Sequence, residues 1–144
     1  MTEDDHEPHL TQRDLAKQAT QATVLAAARD TFEELGFERA NLREIAARAG
    51  VSAGTVLHYY GDKRGLLHAA LFEELDTALD RAIQRGRRSR TLLAQLDVLT
   101  REVFAYYKAR PALSRIALKE SLFADAPWAG RFAEQTARVS HAIT

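Results

Sequence analysis

Asn41–Lys63 reads NLREIAARAGVSAGTVLHYYGDK, and its spacing predicts two short helices joined by a tight turn. The Asn41 side chain is suited to accept a bond from an unpaired backbone N–H one turn on, which makes it the N-cap of the first. Leu42, Ile45, Ala46 and Ala49 then recur at helical spacing as one apolar stripe, with Arg43, Glu44 and Arg48 facing elsewhere. Gly50 ends that helix, because glycine enters the left-handed conformation without a side-chain penalty. Val51 drops back toward the core. Ser52 caps the second helix, which Val56 and Tyr60 anchor one turn apart. Ala53, Thr55, His58 and Tyr59 are small or hydrogen-bonding and point outward. Helix, glycine turn and helix with an exposed polar face is the arrangement of a helix-turn-helix DNA reader.

The rest of the chain reads as support for this unit. The first helix is expected over Leu15–Leu35, burying Val24, Leu25, Ala28, Phe32 and Leu35, with Gly36 closing it and Phe37 folding back. Asp62 caps a long helix whose wide stripe runs from Leu66 to Ile83, so it is buried on more than one side. Arg81, Arg85, Arg87, Arg88 and Arg90 follow, and are read as cations complementing a helix C-terminus rather than as a second nucleic-acid patch. A further helix carries Leu92, Leu96, Leu99, Val103, Tyr106 and Tyr107 and ends at Arg110-Pro111. Pro111 opens the next, with Leu113, Ile116 and Ala117 inward. A last stripe of Trp128, Phe132, Thr136, Val139 and Ile143 follows the break at 125–127. No strand-like alternation of useful length occurs, so the fold class is all-α.

Composition narrows the options. The 144 residues are 46% hydrophobic, enough for a packed core. No run is apolar enough to span a membrane, and no secretory segment opens the chain. The absence of cysteine removes disulfides, thiolate metal sites and cysteine nucleophiles together, and fits a reducing, cytoplasmic setting. Formal net charge is zero, but its distribution is uneven. Met1–Asp14, with Glu3, Asp4, Asp5, Glu7 and Asp14 against Arg13, reads as a disordered acidic arm. His6 and His9 are tail residues and not metal ligands. Residues 39–64 are locally basic, with Arg39, Arg43, Arg48, Lys63 and Arg64 against Glu44 and Asp62. His68 near Glu73 and Glu74 repeats no metal motif. With no nucleophile, phosphate loop or metal cluster, neither an enzyme nor a cofactor is expected.

The run IAARAGVSAGTVLHYYGDKRGLL resembles the DNA-binding signature of the tetracycline-repressor (TetR) family of bacterial regulators. The matching positions are Ile45-Ala46, Ala49-Gly50-Val51-Ser52, Gly54-Thr55, Tyr60, Lys63 and Leu66-Leu67, and Ala27–Phe37 resembles the family's first helix. Leu57 stands where the family usually carries tyrosine, which removes a phosphate contact. The resemblance implies a three-helix DNA-binding domain over 15–62 and an incomplete helical effector-binding and dimerisation domain over 63–144. It carries DNA contact onto Arg43, Ala53, Thr55, His58 and Tyr59, and phosphate contact onto Lys63. It also implies double-stranded DNA with a palindromic operator as partner, a homodimer, and a small-molecule effector that releases DNA. Candidate effector-pocket residues are Phe72, Leu75, Phe104, Tyr107, Phe123, Trp128 and Phe132. The family usually dimerises through two helices near its C-terminus, and 144 residues are too few to hold both. The chain is therefore expected to be a fragment or natural truncation, or to pair through its Trp128–Ile143 helix. The competing reading is a helical interaction protein that pairs with a full-length relative without reading DNA.

Overall fold

The chain is described here as a computed structural model covering residues 10–122 and 126–143; the side chains of residues 120–122, 126–128, 132 and 143 fall outside the description. Among the described residues the regular structure is entirely helical: α1 Gln12–Arg39, α2 Leu42–Ala49, α3 Ala53–Tyr60, α4 Lys63–Gly86, α5 Leu92–Ala109, α6 Pro111–Leu122 and α7 Ala126–Ile143. Residues 1–9 of the expected acidic arm lie outside it.

The arm was expected to extend to Asp14, but α1 begins at Gln12. Thr11 and Asp14 close a capping box: the Asp14 amide donates to Thr11 Oγ1 at 3.2 Å, and the Thr11 amide returns a bond to Asp14 Oδ2 at 3.0 Å. The Thr11 hydroxyl and amide bonds hold the exposed Asp14 carboxyl below its usual range. The other end is broken by Gly36 at φ 74°, a backbone that only glycine adopts at little cost. There Phe37 turns back and stacks on Phe32, ring centroids 5.9 Å apart.

One core holds the molecule together. Val24, Leu25, Ala28 and Phe32 of α1 meet Ile45 and Ala46 of α2, Val56 of α3, and Leu66, Leu67, Ala70 and Leu71 of α4. Leu113 and Ala117 of α6 belong to the same cluster. Phe32 and Ile45 are fully buried, and each such burial stabilises the fold by roughly 1.5–3 kcal/mol. The division expected at residue 63 therefore cuts through a continuous core. The first two turns of α4 pack under the reader, while its later turns carry α5 and α7.

Polar ties reinforce the junction of α1 with α4 and α6. Glu33 accepts the Leu113 amide at 2.8 Å and the Ala112 amide at 3.3 Å, so a carboxylate of α1 caps α6. Arg110 pairs with Asp30 at 2.8 Å, and Arg29 bridges to Glu73 at 2.8 Å and to the Ala70 carbonyl at 3.2 Å. Helix α5 has no fully buried residue. It lies along α4 and leaves Leu92, Leu93, Leu96 and Phe104 exposed. Its apolar stripe is thus only partly covered.

Candidate nucleic-acid interface

Three caps and a glycine fix the reader. The Asn41 side chain accepts the Glu44 amide at 2.8 Å and starts α2. Gly50, at φ 71° and ψ 27°, ends it with its amide turned back on the Ala46 and Ala47 carbonyls. Ser52 Oγ accepts the Thr55 amide at 3.1 Å and starts α3. Asp62 Oδ1 then accepts the Gly65 amide at 2.7 Å and starts α4. The α3–α4 corner is unusually tight, since a Cβ on Gly65 would lie 2.2 Å from the Tyr60 carbonyl oxygen. Glycine is the residue type that fits there.

Val56 is the fully buried anchor of α3. By helical spacing His58 lies opposite it, while Thr55 and Tyr59 share one flank a turn apart. His58 is exposed, while Thr55, Tyr59 and Ala53 are partly covered. The Thr55 and Ser52 hydroxyls are 2.9 Å apart, so Thr55 is oriented by its cap. The His58 and Tyr59 rings lie 5.5 Å apart, tilted by 60°. Arg43 is exposed early in α2 and forms no ion pair among the described residues. Arg48 is tied down: it reaches Glu34 of α1 at 2.7 Å and Glu44 at 3.0 Å. Glu34, above all, holds its guanidinium above the usual range. Tyr60 is anchored inward, its hydroxyl donating at 3.5 Å to the Gln21 carbonyl. Burial first, and the charge of Glu73 second, push its phenol up to about 12.

Lys63 does not stand as the sequence suggested. Its ammonium points back at the end of α1 and donates to the carbonyls of Phe37 at 2.7 Å, Ala40 at 3.1 Å and Glu38 at 3.3 Å. It also sits 4.5 Å from the Phe37 ring centroid. An ammonium has three protons, and three carbonyls use them. Here it closes the broken end of α1.

Lys17 is a cation that the sequence reading left without a role. Its Nζ stands 5.8 Å from the Tyr59 ring centroid, so α1 places a charge beside the reader. The signal available in the sequence was Arg13 and Lys17 at i, i+4 spacing, which shares one face of α1.

Of the seven residues expected to line an effector pocket, the side chains of four, Phe72, Leu75, Phe104 and Tyr107, are among the described residues. Phe72 is buried, with the Arg131 guanidinium 5.8 Å from its ring centroid. Leu75 and Tyr107 are half-buried. Phe104 is 64% exposed: α4 covers one side of α5 and this residue lies on another. Phe123 and the side chains of Trp128 and Phe132 lie outside the described residues. Phe72 lines a cleft of about 560 Å³ in which Ala22, Leu25 and Ala69 stand beside Tyr60, Asp76 and Arg131, a wall of mixed character.

Residues 24–70 match the sequence profile of bacterial regulatory proteins of the tetR family. The chain is 31% identical over 122 residues to the HTH-type transcriptional repressor KstR of Mycolicibacterium smegmatis, covering 83% of this chain and 56% of that protein. It is 42% identical over 64 residues to the HTH-type transcriptional regulator BetI of Stenotrophomonas maltophilia, covering 44% of this chain and 32% of the relative. The chain thus spans between about a third and just over half the length of these relatives. A crystal structure of a TetR family transcription regulator from Marinobacter aquaeolei superposes with a TM-score of 0.72 over 90% of this chain and 69% of its own, at 24% identity, a likeness of fold. Together with the capped helix–glycine–helix reader, the match identifies this chain as a member of the tetR family of bacterial regulatory proteins.

Proposed function

We propose that the chain is a DNA-binding transcriptional regulator that lays α3 in the major groove of double-stranded DNA. The observation that carries this is the reader itself: exposed His58, with Thr55 and Tyr59 on the adjoining flank, stands on a helix locked to the core by Val56. In the major groove each base pair shows its own donor and acceptor pattern. A threonine hydroxyl and methyl, an imidazole and a phenol can each read part of it. Ala53, at the start of α3, sets how closely the helix approaches. Arg43 and Lys17 supply the phosphate contacts that hold register without reading sequence.

One reader makes few base contacts, so the proposal includes a two-fold homodimer on a palindromic operator. The exposed row Leu92, Leu93, Leu96 and Phe104 on α5 supports a pairing surface. The same row would serve the alternative reading, an interaction protein that pairs with a longer relative and leaves DNA alone. Action as a repressor in the bacterial cytoplasm, relieved by a small molecule, is the regulatory reading we favour. It is supported by the KstR likeness and by the ties from α1 to α4 and α6. A ligand that favours a different seating of α6 would move α1 with it, and so shift the reader.

The test is selection of binding sites from a random duplex pool, with the mass of the complex recorded in solution. The reading expects a palindromic sequence bound by two chains, with affinity falling as salt rises and on Tyr59→Ala. No enriched sequence, with a monomer in solution, would leave the interaction-protein reading in front.

A further inference from the structure

A second cleft, of about 500 Å³, opens on the side of the molecule where the end of α1, the start of α4 and α6 meet. Its wall is apolar, built by Phe37 of α1 and by Ala112 and Ile116 of α6, with the backbone of Gly36 at one edge. Among the described residues its rim carries three cations, Arg64, Arg115 and Lys119, against the carboxylate of Glu38. Arg115 and Lys119 are exposed, sit one turn apart on α6, and form no ion pair among the described residues. An apolar wall with a net positive rim is the chemistry of a site for an amphipathic anion. The wall takes a short hydrocarbon, and the rim takes an acidic head.

We propose that this cleft binds small amphipathic anions, with the hydrocarbon against Phe37 and Ile116 and the head between Arg115 and Lys119. The site differs from the expected effector-pocket set: Phe72, Leu75, Phe104 and Tyr107, its described members, do not line it. A DNA phosphate is the other anion to consider. The concave apolar wall argues against it, because a backbone contact needs projecting donors on a polar surface. The proposal stands on direct binding and does not depend on the chain reading DNA.

Octanoate and octyl phosphate are the probes, with 1-octanol and inorganic phosphate as controls. Each is titrated into the full chain and followed by amide chemical shifts and calorimetry. Expected are saturable shifts at Gly36, Phe37 and Ile116 for both anions, and binding about 10-fold weaker or worse for either control. Which acid binds more tightly reports whether the head is a carboxylate or a phosphate. The paired substitution Arg115→Ala and Lys119→Ala changes exposed side chains, and should weaken both anions by about 10-fold or more. Arg131→Ala, in the other cleft, should leave them unchanged. Octanol binding as well as octanoate would overturn the proposal, as would anion binding indifferent to Arg115 and Lys119. Loss of duplex affinity in the double variant without loss of anion binding would assign the rim to DNA backbone instead.

Discussion

Lys63→Met separates two roles for one residue. As a phosphate contact, Lys63 would matter to DNA affinity and little to folding. The structure instead turns its ammonium onto the carbonyls of Phe37, Glu38 and Ala40 at 2.7, 3.3 and 3.1 Å. A hydrogen bond to a charged group contributes about 1.5–3 kcal/mol, and an unpaired buried carbonyl costs about 1–3 kcal/mol. The bonds to Phe37 and Ala40 are partly buried, whereas the one to Glu38 is exposed and water would replace it. Methionine keeps an apolar stem over Phe37 but donates nothing. The three bonds share one cation and are not additive, so the expected loss is about 2–3 kcal/mol. Urea unfolding measures it as a lower midpoint at unchanged slope. Lys63→Arg should recover only part of this loss, because a planar fork cannot aim at three converging carbonyls. Binding to a selected duplex, measured across salt concentrations, supplies the second axis. Removal of a phosphate contact lowers the salt slope by about one, and removal of the clamp should not. Stability within about 0.5 kcal/mol of wild type, together with a slope lower by about one, would refute the structural reading of Lys63.

Four further expectations test other parts of the frame. Gly65→Ala sets a methyl 2.2 Å from the Tyr60 carbonyl oxygen; thermal unfolding should show a loss of about 3 kcal/mol or more. Gly54→Ala meets nothing nearer than Ser52 Oγ at 3.7 Å and should be neutral or stabilising by up to about 1 kcal/mol. Glu33→Gln removes the charge that caps α6 but keeps an acceptor, so a loss of about 1 kcal/mol is expected. Faster amide exchange at Leu113 should accompany it, and unchanged exchange there would count against the cap. The Asp14 carboxyl is depressed below its ordinary 3.8, so its contribution is present above that value and is lost as pH falls through the folded value. Fraying of the first turn of α1 should therefore appear only in acid, and Thr11→Ala should return the Asp14 titration, read by NMR, toward 3.8.

The reader was legible in the sequence because its determinants are local. Asn41, Ser52 and Asp62 each cap a helix within three residues of themselves, and Gly50 marks its turn by type alone. The start of α1 was misread because Asp14 is both an acid in an acidic run and the closing residue of a capping box. Threonine followed three residues later by aspartate was the clue that outranked the charge count. The carbonyl bonds of Lys63 were not legible for a different reason: its partners lie 23 to 26 residues upstream, and they converge on it because Gly36 breaks α1. The Glu33 cap on α6 spans some 80 residues and leaves no pattern in the chain. Helical periodicity marks an apolar face without saying what covers it, as the 64% exposure of Phe104 shows.

The membership of Leu113 and Ala117 in the reader's core bears on how such proteins could be recombined. A reader whose core closed on itself could be cut off after α4 and joined to any sensing bundle. In this chain the cut would strip two residues from the floor beneath α1. A grafted bundle would have to bring a first helix after the Arg110-Pro111 corner with matching side chains at the same two positions. It would also need an amide end for Glu33 to cap. Compatibility between readers and sensors is therefore written in a few residues of α6, well away from any base.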